Sequence, residues 1–150
     1  MVKMGADKIF LDTNVLVYAN IKSAPLHGVA LQAIIDHYNA GSELWISRQV
    51  IREYLATLTK PQQFSYPPST TTLQSDIIYF QSRFSTAEEN QSVTDKLLDL
   101  LRSIKFGGKQ VHDANIVATM LVHNITHLLT HNTADFARFG TLITIVPLIT

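Results

Sequence analysis

The chain contains no cysteine, which excludes disulfides and thiolate metal sites and leaves only nitrogen and oxygen donors for any bound metal. Neither sign of charge is in excess: 12 Lys and Arg balance 12 Asp and Glu, so the whole-chain field gives no argument for a nucleic-acid partner. No apolar run nears the roughly 20 residues that span a bilayer. Met1 to Asp7 lacks the basic segment and long apolar core of a secretory signal. There is no internal repeat, no low-complexity tract and no glycine-rich phosphate loop. These absences lead to the expectation of a soluble, cytoplasmic protein.

What is present is a 150-residue chain with 46% hydrophobic and 16% charged residues. That composition predicts one globular domain over 1–150, large enough to bury roughly two thirds of its unfolded surface. The organising stretch is Lys8-Ile9-Phe10-Leu11-Asp12-Thr13-Asn14-Val15-Leu16-Val17-Tyr18. An apolar run stops at a carboxylate and two small polar residues, then turns apolar again. It reads as a buried strand delivering an acid at its carboxyl end, where ligands sit in open α/β sheets.

Ile9 to Leu11 are apolar on consecutive positions, which predicts a central strand covered by helices on both faces. Asp12-Thr13-Asn14 supplies cap-forming side chains for a short helix over Val15 to Ala19. Pro25 is expected to start a second helix carrying Leu26, Val29, Ala30, Ala33, Ile34 and Tyr38, with Gly41 in a left-handed C-terminal cap. Leu44 to Ile46 is the next strand, and Ser47 caps a helix with the stripe Val50, Ile51, Tyr54, Leu55 and Leu58. Lys60-Pro61 ends it. Tyr66-Pro67-Pro68 with Ser69 to Thr72 predicts a polar, flexible connection.

Leu73, Ile77, Phe80 and Phe84 form one face of an amphipathic helix. Ser85 to Glu89 carries a capping-box pattern for a further helix, whose expected buried side is Val93, Leu97, Leu100, Leu101 and Ile104 and whose stop is Gly107-Gly108. Val111 to His123 is apolar almost all round apart from Asp113, Asn115 and Thr119, so it should be covered on most sides until Asn124 ends it. Ile125 to Leu129 reads as a strand, Thr130-His131-Asn132 as a turn, Thr133 to Phe139 as a short helix and Leu142 to Val146 as a last strand. The alternation predicts an α/β fold with a central, mainly parallel sheet flanked by helices, of four strands, or five if a short one lies near Arg83 and Phe84.

Four acids stand at strand ends or helix starts: Asp12, Glu53, Asp113 and Asp135. Each also has a plain structural reading. Asp12 suits a helix N-cap, Glu53 a solvated helix face beside Val50, Asp113 the positive end of a helix dipole, and Asp135 a first-turn partner for a capping Asn132. Their placement argues for convergence, and four carboxylates crowded together require neutralisation by protons or cations. Oxygen donors select hard cations such as Mg²⁺ or Mn²⁺. The eight remaining acids would then face twelve basic residues, a mildly basic exterior compatible with phosphate contacts. A second pattern, His123, His127 and His131 spaced by four, would suit Zn²⁺ only on a continuous helix, which Asn124 and the strand-like Ile125 to Leu129 oppose. His112 reads as a cap or packed residue.

Leu11-Asp12-Thr13-Asn14 after a buried strand, Glu53 early in the following helix, Val111-His112-Asp113-Ala114 opening an apolar helix, and Leu129-Thr130-His131-Asn132-Thr133-Ala134-Asp135-Phe136 together resemble the four motifs of PIN-domain nucleases, especially VapC-like toxins. The resemblance covers Ile9 to Val146 and implies a PIN-like fold. It implies that Asp12, Glu53, Asp113 and Asp135 serve metal-dependent endonucleolytic cleavage of RNA with one or two Mg²⁺ or Mn²⁺ ions. Residues matching Asn14, Thr130 and Asn132 would position those acids; Asn132 stands where many relatives carry another acid. The resemblance further implies a homodimer and a small antitoxin partner inserting a segment into the acidic crevice.

On that basis Asp12 and Asp113 are expected as primary metal ligands, Asp135 as a ligand directly or through water, and Glu53 as the residue that holds a water or acts as base. Arg48, Arg52 and Lys109 lie near the ends of these elements and are candidates for backbone-phosphate contacts. Two other classes stay open on the residues alone: a non-catalytic module of the same fold, and another Mg-dependent phosphoesterase. Asp12-Thr13-Asn14 lacks the second acid two residues on that haloacid-dehalogenase-like phosphatases carry.

Overall fold

The computed structural model describes residues 7–61 and 67–150. In chain order its elements are β1 (Lys8–Leu11), α1 (Thr13–Asn20), α2 (His27–Asn39), β2 (Glu43–Ser47), α3 (Arg48–Leu58), α4 (Thr70–Arg83), β3 (Ser85–Ala87), α5 (Gln91–Ser103), α6 (Gln110–Val122), β4 (His127–Thr130), α7 (Thr133–Phe136) with a 3-10 turn at Ala137–Phe139, and β5 (Thr144–Pro147). The five strands form one sheet in the order β3-β2-β1-β4-β5, every pair parallel. Parallel neighbours need long crossovers, and the helices supply them.

The order has one functional consequence. From β1 the chain builds outward through β2 and β3, then returns to the other side of β1 to lay down β4 and β5. The reversal falls between β1 and β4, whose register pairs Phe10 with Leu128 and Leu11 with Leu129. A crevice opens outside the strand ends at such a switch point. The Asp12 backbone N–H donates to the Leu129 carbonyl at 3.1 Å, so this acid sits at the mouth of the crevice.

The core explains why the sheet is so short yet ordered. Phe10, Leu11, Ile46, Leu58 and Leu128 are fully buried, and α6 contributes Ala114, Ile116, Val117, Ala118 and Met120. Phe136 and Phe139 close the far end. Tyr54 is the largest fully buried polar-tipped side chain: its ring meets Phe80 edge-on at 5.0 Å. Its hydroxyl donates to Asp76 at 2.7 Å and accepts from Asn20 at 3.1 Å. One phenol thus ties α1, α3 and α4 together. Burial and the Asp76 carboxylate push its ionisation well above the ordinary tyrosine range.

Most element boundaries agree with the sequence expectations, including the Ser47 cap, whose hydroxyl accepts from Val50 N–H, and the left-handed Gly41 and Asn124 at helix ends. Several do not. Ser85–Ala87 forms edge strand β3 rather than a helix cap, because its backbone pairs with Trp45 to Ser47 of β2; Asn90 caps α5 instead, accepting from Val93 N–H. Leu101 is 53% exposed rather than buried. Thr70 to Thr72 belong to α4, capped by Ser69, which accepts from Thr72 N–H. Of the expected connection, Tyr66 lies outside the described residues, and Pro67 to Ser69 carry no regular secondary structure. The three spaced histidines are not gathered: His123 bonds the Glu88 carbonyl, His127 bonds Thr126, and His131 packs on the Tyr18 ring. No helix among the described residues is long and apolar enough to cross a membrane.

Tyr54→Phe should lower unfolding free energy by about 1 kcal/mol, since Asn20 and Asp76 can turn to water but lose an internal partner. Phe10→Ala should cost about 3–5 kcal/mol through the cavity it leaves. Urea denaturation of both variants against the parent checks the ranking; an equal cost for the two would contradict this account of the core.

Candidate active site

Asp12 is 6% exposed, a poor place for a carboxylate unless hydrogen bonds replace water. They do. Oδ1 accepts from the Thr13 backbone N–H at 2.8 Å, and Asp12 is the N-cap of α1. Oδ2 accepts from Asn14 Nδ2 at 3.0 Å and from Thr130 Oγ1 at 2.8 Å. The plain cap and the site residue are therefore the same side chain. Burial raises its pKa, the bonds from Thr130, Thr13 and Asn14 pull it down, and the charge of Asp135 adds to the rise.

Asn14 and Thr130 do more than touch Asp12. Asn14 Oδ1 accepts from the His131 N–H at 3.0 Å, and Thr130 Oγ1 accepts from the Asn132 N–H at 3.0 Å. The turn after β4 is thereby locked to the first turn of α1. Asn132 is the N-cap residue of α7 but makes no side-chain cap bond, so the plain structural reading of Asn132 and Asp135 as a capping pair does not hold, and Asn132 lines a cavity with the acids.

That cavity, about 370 Å³, is lined by Asp12, Asn14, Glu53, Lys60, Asp113 and Asn132 among others. Glu53 arrives from α3 and Asp113 from the first turn of α6. Asp135 is exposed on α7 and outside the lining, yet its charge raises both Asp12 and Asp113. Burial, followed by the charges of Asp12, Asp135 and Glu53, pushes Asp113 up to about 6, against a small lowering by Arg138. Burial likewise raises Glu53, opposed first by a bond from Gln49. The four acids expected from the sequence thus share one electrostatic neighbourhood.

Among the described residues no three His, Asp or Glu side chains form a closed ligand cluster. The acids nevertheless offer only oxygen donors, a set that fits a hard divalent cation rather than a soft one.

The basic candidates are scattered. Arg48 is exposed and pairs with Glu88 at 2.7 Å. Arg52 borders a second cavity, about 280 Å³, lined by Gln49, Arg52, Glu53 and His112 and sharing Glu53 with the first. His112 is exposed there rather than packed. Lys109 is exposed at the start of α6 and makes no side-chain cap bond. Sequence reasoning missed Lys60, which lines the acidic cavity, and it missed Gln49, buried between α3 and α6. A signal existed for Gln49: it stands four residues before Glu53, the helical spacing at which an amide reaches a carboxylate.

Fold and cavity together define a parallel α/β domain with an acidic pocket at its topological switch point. The chain belongs to the PIN domain family, whose model matches residues 9–142. Comparison with curated proteins finds no match. Among solved structures, the chain is similar to VapBC2 from Rickettsia felis bound to a promoter DNA fragment, with 22% identity, TM-score 0.64 and coverage of 93% of this chain and 98% of that one. A toxin–antitoxin complex from Klebsiella pneumoniae matches at 23% identity and TM-score 0.64, covering 93% and 97%. VapC20 from Mycobacterium tuberculosis, a sarcin–ricin-loop-cleaving toxin, matches at 14% identity and TM-score 0.61, covering 84% and 92%.

The raised acids dictate a pH dependence. A carboxyl whose folded pKa exceeds its unfolded value binds more protons in the native state, so its stabilising contribution is full below pH about 4 and is lost as pH rises through about 6. The thermal midpoint of the metal-free protein should therefore fall across that window. Asp113→Asn should flatten the fall; equal slopes in parent and variant would show that Asp113 is not the group responsible.

Proposed function

We propose that this chain is a Mg²⁺- or Mn²⁺-dependent endoribonuclease and the toxin of a toxin–antitoxin pair. The observation that carries the reading is the meeting of acids at the switch point: Asp12, Glu53 and Asp113, from three separate parts of the chain, line one cavity, with both Asp12 oxygens hydrogen-bonded. A scaffold with no task for those acids would have every physical reason to disperse them. Family membership and the toxin–antitoxin complexes among the similar structures support the same reading.

Asp12 and Asp113 would hold the cation, with Asp135 reaching it directly or through water. When bound, a divalent cation supplies acidity to a water molecule and positive charge to phosphate oxygens. Glu53, partly shielded and restrained by Gln49 at 2.9 Å, would accept the proton of the water that attacks phosphorus. Thr130 and Asn14 keep Asp12 in one orientation, so that no reorganisation is required as charge develops. Asn132 would contribute a neutral polar group where further negative charge would repel the substrate. Lys60, which lines the acidic cavity, and Arg52, which lines the second cavity with Glu53, would meet backbone phosphates of the substrate; Arg48 would have to leave Glu88 to do so, and Lys109 would do so from the exposed start of α6. A small antitoxin and a second copy of the chain are the partners this reading carries.

Asp12→Asn should abolish Mn²⁺-dependent cleavage of labelled RNA while leaving the circular-dichroism spectrum unchanged. Calorimetric titration of the parent with Mn²⁺ should saturate, and that of the variant should not. If the parent shows neither saturable Mn²⁺ binding nor cleavage, the chain is a non-catalytic PIN module; if it hydrolyses a phosphomonoester and spares RNA, it is another phosphoesterase.

A further inference from the structure

We infer that Gln49 is a positioning residue for Glu53, with its amide direction set by Asn115 and Glu89 behind it; the inference rests on the cleavage chemistry proposed above. Gln49 is 5% exposed on the first turn of α3, and every polar atom it has is committed. Its backbone N–H donates to Glu89 Oε2 at 2.6 Å. Its Oε1 accepts from Asn115 Nδ2 at 2.7 Å. Its Nε2 donates both to Glu53 Oε1 and to the His112 carbonyl, each at 2.9 Å.

An amide can face either way, and the network decides which. Asn115 Nδ2 also donates to Glu89 Oε1 at 3.0 Å, so its two N–H groups are spent on Glu89 and Gln49. The ring therefore runs from the Gln49 backbone N–H to Glu89, from Glu89 back to Asn115, and from Asn115 to the Gln49 side chain. It begins at a backbone donor that cannot be exchanged for an acceptor. Both Glu89 oxygens must accept, Asn115 must present nitrogen, and Gln49 must present oxygen to Asn115. Only one orientation remains, with the Gln49 NH₂ turned toward Glu53 and the carbonyl that precedes Asp113.

The geometry has a consequence for the cavity. Glu53 has a long, rotatable side chain on α3, whereas Asp113 sits on α6, and Gln49 is bonded to both helices at once. It sets where the Glu53 carboxylate stands relative to Asp113. None of Gln49, Asn115 or Glu89 lines the cavity that holds Asp12 and Asp113, so they act on it through the groups they bond, and the one acid side chain of that cavity among those is Glu53. Displacements of about 1 Å in a reacting group cost on the order of a hundredfold in rate, so a partial loss of this restraint should be visible in kcat.

The test combines kinetics with structure. Gln49→Met keeps the side chain's length and removes its hydrogen bonds; Asn115→Asp keeps shape but presents acceptors to Glu89 and Gln49, which turns the Gln49 amide round. Each should lower kcat for RNA cleavage at saturating Mn²⁺ by about tenfold or more with KM nearly unchanged, and adding Gln49→Met to Glu53→Gln should cost nothing further. Parent-like rates in both single variants, or factors that multiply in the double variant, would overturn the inference. Metal-free crystal structures of the two single variants supply a readout independent of activity. The Glu53 carboxylate should leave its place or split into conformers, and an unmoved carboxylate in both would equally overturn it. A parent that cuts no RNA sinks the cleavage reading alone, and the crystal structures then decide the positioning role. Should either variant fail to fold, exchange of the Gln49 side-chain amide protons should be faster in Glu53→Ala than in the parent; an unchanged rate counts against the inference.

Discussion

The structure depends on a carboxylate that has been taken out of water. Asp12 lies at the junction of β1 and α1, and its burial is tolerable only because the Thr13 N–H, Asn14 and Thr130 replace the solvent it lost. Two of those donors are local to α1. The third comes from the end of β4, more than a hundred residues on, and reaches Asp12 only because β4 lies beside β1 in the sheet. Chain order therefore produces the site: had β4 been laid at the β3 edge, the acid would face the crevice without its strongest restraint.

The same arrangement sets fold stability and local chemistry against each other. A fully apolar crevice would be easier to bury, and the raised ionisation of Asp12, Glu53 and Asp113 measures how far the domain departs from that easier solution. The apolar core on both sides of the sheet offsets the departure. α6 illustrates the division within one helix: Ala114, Ile116, Val117, Ala118 and Met120 are buried, while Asp113 on the first turn faces the cavity. Local rules are broken where a site needs them broken.

A second polar layer stands behind the acids. Arg48 pairs with Glu88 at 2.7 Å, Arg52 approaches Glu89 at 4.0 Å, and Glu89 itself joins the start of α3 to α6 through Gln49 and Asn115. The short segment between β3 and α5 thus does for Glu53 what the turn after β4 does for Asp12: it holds the element that carries the acid. Both restraints come from residues distant in sequence.

Much of this was legible in the chain itself. The apolar run ending at Asp12, the Ser47 cap and the left-handed Gly41 and Asn124 follow from local backbone preference and period, and those do not need a fold to be read. The four acids could be singled out because each interrupts a pattern at an element boundary. Ser85 to Glu89 misled because a capping-box spelling and an edge strand share residue types, and only the pairing of Ser85 to Ala87 with β2 decides between them. Glu89 and Lys60 escaped because a polar residue's partner is set by which elements pack together; for Gln49 the spacing to Glu53 was visible, but its bonds to Asn115 and the His112 carbonyl were not. Sequence alone determined which residues could be buried, capped or charged; tertiary structure alone decided which charges meet, because hydrogen bonds and Coulomb fields act over a few ångströms of space and are blind to position along the chain.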